Sequence, residues 1–461
     1  MGEVLHTYLQ PYLQPHVQAV PVKQQGAAIV HIIAASKVCV QAIHSGRGSM
    51  SKLIVVGAGI IGLSCALAAQ QRGWQVTVID PDFEGDRTSH GNAAGLAVSE
   101  CIPLSLSGLG LKPLKWLLDP LGPLAIRASH APRLLLWFLA LRQVAQPDKF
   151  DRISKALAAI NLRCMGDFER LLDETSMRAA MHKVGALAVY ESAAVLQQER
   201  AEWDLKRELG FAWRQVDRAE IRALEPGLAP VFEAGVMLED WAHIDDPAAL
   251  VTAVRKRVQE RGGTLLRGQV ASVALQGQGG AEAVLSDGSR QSADKLLVAA
   301  GAWSAQLART VGDHALLESE RGYNTTLPHC ASLLNRQVVF AQRKFVATPL
   351  SVGLRIGGAA EFAGLKAAPN YQRSDALLAL ARRFIGNLDE RDTRKWMGNR
   401  PSTPDSLPVI GHSGVSRDVL YAFGHGHLGL TQSATTAALF GELLDGATPS
   451  IDMAPYSITR F

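Results

Sequence analysis

The first sustained pattern in the chain begins at Met50. Lys52-Leu53-Ile54-Val55-Val56 is a short β-branched run, the composition of a strand buried on both faces. Gly57-Ala58-Gly59-Ile60-Ile61-Gly62 follows, then Leu63-Ser64-Cys65-Ala66-Leu67-Ala68-Ala69 as a helix that Gly73 ends. Gln75-Val76-Thr77-Val78-Ile79 predicts a second strand, closed by Asp80. Residues 105–180, rich in Leu and Ala with Pro breaks, predict helices, whereas 184–190, 337–340 and 348–358 are strand-like. Val270-Ala271-Ser272-Val273 precedes a polar hairpin at Asp287-Gly288, and 295–304 reads as a strand entering a helix. Residues 424–431 are glycine-rich and open a last helix running through Ala434 to Leu443. Strands alternating with helices predict an α/β fold.

Residues 1–49 show no such period. They hold Pro11, Pro15 and Pro21 with scattered Gln and His, and predict a disordered or mis-assigned extension with Met50 as the natural start. A targeting peptide fits poorly, since Arg is scarce and no clean apolar stretch precedes a cleavage site. Residues 53–71 are nineteen uncharged positions behind Lys52, which composition alone would read as an export signal or a span. Their glycines fall where a strand must turn into a helix, which argues against both. Elsewhere the longest purely apolar run is the eight residues 134–141, too short to cross a bilayer.

The chain is 461 residues long, enough for two or three lobes, and its 47% apolar and 20% charged residues exclude a disordered or fibrous protein. A net charge of +4, spread thinly, excludes nucleic acid as a partner. The five cysteines are widely spaced without a CxxC pair, which fits a reducing compartment and excludes zinc, iron–sulfur and disulfide frameworks. No histidine or carboxylate spacing suits a metal.

The βαβ unit carries the first chemistry. Gly57 permits a tight turn, Gly59 lets the backbone approach a pyrophosphate, and Gly62 lets the helix pack on the strand. Ala58, Ile60 and Ile61 complete the loop, and the helix N-terminus offers amide donors to phosphate. Asp80 stands 18 residues beyond Gly62, where an acid accepts from the adenosine ribose hydroxyls and its charge disfavours NADP. A dinucleotide is therefore expected. Thr88-Ser89-His90-Gly91-Asn92-Ala93-Ala94-Gly95 is a small polar stretch able to lie along a long cofactor. A second glycine-rich helix start near the C-terminus suits the electron-rich edge of a flavin.

With Thr88-Ser89-x-Gly91-Asn92-Ala93, His243-Ile244-Asp245-Asp246-Pro247, Arg321-Gly322-Tyr323 and the string from Trp396-Met397-Gly398-Asn399-Arg400-Pro401 to Pro408-Val409-Ile410-Gly411, the chain from about Met50 to Ile451 resembles the D-amino-acid oxidase superfamily. It is most similar to bacterial D-amino-acid dehydrogenases. It departs from them at Ala94, Asp245 and Ser406, which suggests a subfamily with its own substrate. Residues 116–124 and Gly424-His425-Gly426-His427 look most like members acting on cyclic secondary amines such as D-hydroxyproline.

The resemblance implies FAD bound non-covalently, no cysteine standing in the C-terminal region. It places Thr88, Ser89, Asn92, Ala93, Gly95, Val270, Ala300, Gly301, Trp303, Gly424, His425, Gly426, Leu428, Gly429, Leu430 and Thr431 at the flavin, beside Gly57 to Gly62 and Asp80. Cα–H would leave as hydride to flavin N5, and the imine would hydrolyse in water. Fixing the α-carboxylate is then the enzyme's main task, and Arg is suited to it. The resemblance brings Arg355 and Arg400 above the flavin. Tyr323 would bond the same carboxylate or wall the pocket, and His427 would face flavin or substrate. His243, Asp245 and Asp246 are expected to cap the helix that Pro247 opens.

Residues 50–180, 243–318 and 397–461 are thus expected to form a discontinuous Rossmann-type FAD domain, with 181–242 and 319–396 as a mixed-sheet substrate domain. The expected electron acceptor is a quinone or another carrier. The expected location is cytoplasmic, with peripheral attachment to the inner face of the membrane compatible with it. Alternatives are a glycine or sarcosine-type oxidase using oxygen, a non-catalytic flavin-binding subunit, and an NAD-dependent dehydrogenase using only the first βαβ unit.

Overall fold

The computed structural model describes residues 50–85, 87–104 and 124–461. Ser51–Phe461 is one compact unit. The expectations for residues 1–49 and 116–123 lie outside the described residues.

The β-branched run Lys52–Val56 is the centre of a six-stranded sheet. Gln75–Asp80 and then Thr264–Arg267 lie parallel on one side of it. Lys295–Val298 and Val419–Phe423 lie parallel on the other, and Val409–His412 closes that edge antiparallel. The helix Ile60–Gln70 is too apolar to face water, and nine of its eleven residues are buried. It packs against Ser433–Leu444 and Pro247–Glu260 in a core that includes Leu63, Val254 and Phe440. Asp246 caps Pro247–Glu260 through the Ala248 amide at 2.9 Å, as expected from Asp-Pro. Asp245 instead pairs with His182.

The second layer is a mixed nine-stranded sheet. Its order begins with Arg394–Ser402, Glu318–Leu327, Gly353–Phe362 and Phe345–Leu350. Gln337–Phe340, Ala186–Tyr190, Ala234–Leu238 and Arg214–Asp217 continue it, and Leu124–Ile126 pairs with Gly353–Phe362. The stretch 348–358 is two antiparallel strands, not one, because the chain reverses between Leu350 and Gly353. Arg394–Ser402 belongs to this sheet throughout. The 28-residue helix Pro147–Glu174 packs Leu157, Ile160 and Cys164 into one core with Ala186, Ala188 and Tyr190. No described helix is long and apolar enough to cross a membrane.

Candidate active site

A cavity of about 1270 Å³ runs from the C-terminal ends of the parallel strands to the underside of the mixed sheet. Binding at that end of a parallel sheet follows from the helix N-termini and loop amides gathered there.

At the parallel sheet Gly57 and Gly62 stand where a side chain would clash with backbone. A Cβ on Gly57, where φ is +111°, would stand 2.4 Å from the Ala299 carbonyl oxygen, and one on Gly62 would stand 2.0 Å from that of Gly57. Gly59 approaches the Ser89 hydroxyl, leaving a bare backbone wall. Gly57, Gly59, Ile60 and Ile61 line the cavity. Ala58 and Gly62 do not: Ala58 gives its amide to Asp80 at 2.7 Å, and Gly62 seats the helix.

Asp80 is buried, which raises its carboxyl, while the Ala58 and Asp82 amides and the Arg87 guanidinium pull it back. Arg87, which sequence reasoning missed, pairs with both carboxylate oxygens. It neutralises the charge that was expected to repel a 2′-phosphate, so Asp80 alone does not choose between dinucleotides. The length of the cavity does, since it continues past the βαβ unit.

Residues 88–95 carry it onward. Ser89 accepts the Ile60 amide at 3.0 Å, so its hydroxyl caps the helix that was expected to keep that donor for phosphate. Asn92 pins the loop on itself through Ser89 O and the Ala94 amide. Thr88, Ala93 and Gly95 line the wall, as do Val270, Ala300, Gly301 and Trp303 across the cavity.

At the far side His425, Gly426, Leu428, Gly429 and Leu430 line it, but Gly424 and Thr431 do not. Gly424 turns the chain at φ +82°, and the buried Thr431 hydroxyl accepts the Ala97 amide at 3.0 Å. The last helix begins only at Ser433, because a short turn over Gly426–Leu428 intervenes. His425 is buried with its Nε2 against the Thr436 hydroxyl at 2.9 Å, and burial pushes it down to about 3.

The roof comes from the mixed sheet. Arg400 and Tyr323 line the cavity; Arg355 does not. Arg355 is buried, and its guanidinium donates to Thr326 Oγ1 and to the carbonyls of His90 and Asn92. It thus packs on the back of loop 88–95 rather than lining the cavity, where it was expected to meet the substrate. Tyr323 gives its hydroxyl to Glu361 and accepts the Asn370 amide, so it walls the pocket rather than offering a donor.

Arg400 lies opposite Glu320 on adjacent strands. Its Nη1 donates to Glu320 Oε1 at 3.2 Å and to the Ala359 carbonyl at 3.1 Å. Its Nε and Nη2 donate to no described residue. His427 is half exposed and reaches the same Glu320 oxygen at 2.8 Å. Burial would raise the Glu320 carboxyl, but His427, Arg400 and the Ser402 hydroxyl outweigh it and hold it well below the usual range.

Sequence reasoning missed Glu320, which carries no motif of its own. It also missed Trp396 as a wall, although Gly91 and Gly398 mark its place: a Cβ on either would sit within 2.2 Å of the indole. The remaining wall is largely apolar, with Trp137, Phe138, Trp241 and Phe340 among its residues, and carries a polar group at one place. Lys206, over the Trp203 ring at 4.6 Å, donates to Glu100 at 2.8 Å, and Tyr190 donates to Glu199 at 2.7 Å. No described cluster of side chains could hold a metal ion.

His425 and His243 allow a pH prediction. Burial, and for His243 the charge of His182, lowers them from 6.5 to about 3 and about 4. Below pH 6.5 the unfolded chain binds protons that the folded chain refuses. Stability is therefore full above that pH and falls as pH drops through the window, by at most about 1.4 kcal/mol per pH unit for each group. Urea midpoints of the flavin-loaded protein between pH 7.5 and 5 measure this, and His243→Gln should flatten the slope.

The whole arrangement matches known proteins. The family described as FAD dependent oxidoreductase (DAO) matches residues 52–443. A D-amino-acid oxidase of Bradyrhizobium diazoefficiens is 34% identical over 414 residues, covering 88% of this chain and 98% of that protein. A D-amino acid dehydrogenase of Rhizobium johnstonii is 27% identical over 89% of this chain and 100% of that protein. The crystal structure of glycine oxidase from Geobacillus kaustophilus shares the fold, with a TM-score of 0.68 at 20% identity over 89% of this chain and 100% of that one. A cavity floored by a glycine cradle, roofed by a mixed sheet and matched over this length has one assignment: the chain belongs to the DAO family of FAD-dependent oxidoreductases.

Proposed function

We propose that this enzyme oxidises D-amino acids at Cα, cyclic secondary amines of the D-hydroxyproline type among them, and passes the electrons to a quinone or another carrier. The observation that carries this reading is Arg400 on the cavity wall, with an Nε/Nη2 edge that donates to no described residue. A planar guanidinium edge suits a carboxylate, which it holds through two parallel hydrogen bonds. Bound FAD supplies the two-electron acceptor for the Cα–H bond.

The protein's own part is placement. Arg400 takes the carboxylate, the buried Tyr323 and the Trp396 indole bound the space, and His427 lines the wall beside Glu320 and Arg400. No strong base is required if the amine binds neutral, since its lone pair then forms the imine as Cα–H leaves. The loop 88–95, the glycines of the cradle and the turn at Gly426–Leu428 would hold the flavin. Non-covalent attachment is favoured because no cysteine lines the cavity among the described residues. The names of the two curated relatives favour the D configuration.

Anaerobic flavin bleaching tests the proposal. Purified yellow protein is mixed with D- and L-amino acids, D-hydroxyproline, sarcosine and glycine, then exposed to air. Bleaching by D-amino acids with slow re-oxidation in air is expected. Fast re-oxidation would replace the carrier with oxygen, and bleaching by sarcosine or glycine alone would replace the substrate class. A yellow protein that none of them bleaches sinks the reading.

A further inference from the structure

We infer that Glu320 is a positioning residue that locks Arg400 and His427 into one array, so that the open edge of Arg400 meets the substrate carboxylate at a fixed angle. The inference rests on the amino acid reading above. It adds a residue of the cavity wall whose role is to hold the arginine.

The geometry is set by strand register. Glu320 and Arg400 are direct cross-strand partners between Glu318–Leu327 and Arg394–Ser402, so their side chains emerge on one face. Two residues along, Gly322 faces Gly398, and neither carries a side chain. A Cβ on Gly322 would stand 2.2 Å from Arg400 Nη2, so the guanidinium lies flat across that bare backbone. Ala359 O fixes Nη1 from the neighbouring strand.

Among the described residues Glu320 is the carboxylate that pairs with both Arg400 and His427. Its side chain is 4% exposed, against 20% for Arg400 and 50% for His427. One oxygen receives both Arg400 and His427, and the other receives Ser402 Oγ at 2.8 Å. The carboxylate thus uses both oxygens on three donors from two segments. Ser402 also bridges to His425, which ties the roof strand to the turn bearing His427. Without the carboxylate, Arg400 keeps one backbone carbonyl, and a long side chain with a single anchor samples several rotamers. The charge available to a substrate carboxylate would remain, but its direction would not.

That distinction sets the test. Flavin reduction is followed by anaerobic stopped flow in wild type, Glu320→Gln and Glu320→Asp, with the inhibition constant of acetate as a second readout. Expected for Glu320→Gln is a limiting reduction rate at least tenfold lower. Its amino acid dissociation constant and acetate constant should move less than threefold. Glu320→Asp, which keeps the charge at shorter reach, should recover part of the rate. Where Glu320→Gln fails to hold flavin, Gly322→Ala, which displaces the same guanidinium from the other side, must give the same split. A wild-type rate in Glu320→Gln, or equal losses in rate and both constants, overturns the inference while leaving the amino acid reading intact. Wild-type flavin that no amino acid reduces overturns both.

Discussion

Arg400→Lys should keep the yellow colour and lose the substrate. The flavin cradle lies on the parallel sheet, whereas Arg400 stands on the roof, so cofactor retention and visible absorbance should match wild type. Lysine offers a point charge on a flexible stem where arginine offers a rigid edge. Loss of a charge-assisted bond costs about 1.5–3 kcal/mol, which weakens amino acid binding roughly 10- to 150-fold. The limiting rate of flavin reduction should fall as well, because the carboxylate is no longer held at two points. Titration of flavin bleaching with amino acid gives both quantities. Arg355→Lys is the instructive contrast. Its guanidinium secures the carbonyls of His90 and Asn92, so it should disturb the flavin spectrum and retention before it disturbs substrate affinity. Unchanged kinetics in Arg400→Lys would remove the carboxylate assignment.

The second large effect is expected at the cradle. Gly62→Ala places a methyl group 2.0 Å from the Gly57 carbonyl oxygen. Both atoms are rigid, one in a helix of the core and the other in the turn that would face the pyrophosphate, so neither has a rotamer to escape into. Overpacking of this kind costs about 1–3 kcal/mol or more, and the strand-to-helix spacing that sets the turn is lost with it. The variant should purify colourless and fail to regain absorbance on incubation with FAD. Gly277→Ala is the control, since nothing lies within 4 Å of its Cβ position. A yellow Gly62→Ala protein would show that the turn tolerates a wider spacing.

The cradle was legible because its determinants lie close together in sequence. Three glycines, one helix and one acid within 29 residues state their roles by spacing alone, and residues 57–80 fold as that spacing predicts. The roof was less legible for a physical reason. Arg355 and Arg400 both sit in strand-like sequence, and only the register decides which one meets the cavity. Glu320 lies 80 residues from the arginine it holds. Its function exists only once two distant strands pair. Arg87 was hidden in the same way, since a surface-type residue in a polar loop gives no hint that it will cap a buried acid. The last helix was expected to start at the glycines themselves. Gly426–Leu428 make a separate turn there, and the helix is delayed to Ser433.

The order of strands in the parallel sheet has a consequence for how the chain comes off the ribosome. Lys52–Val56 is among the first elements synthesised, yet one of its neighbours, Lys295–Val298, arrives about 240 residues later. Val419–Phe423 and the helix that covers Ile60–Gln70 come last of all. This buried strand, and a helix with nine of its eleven residues buried, therefore wait through most of translation with one sheet edge unpaired, a long-range topology that folds slowly and invites association. A chain stopped short of residue 419 lacks both the last parallel partner and the helical cover. The nucleotide cradle, although written in residues 57–80, can be completed only when residues 419–444 have emerged.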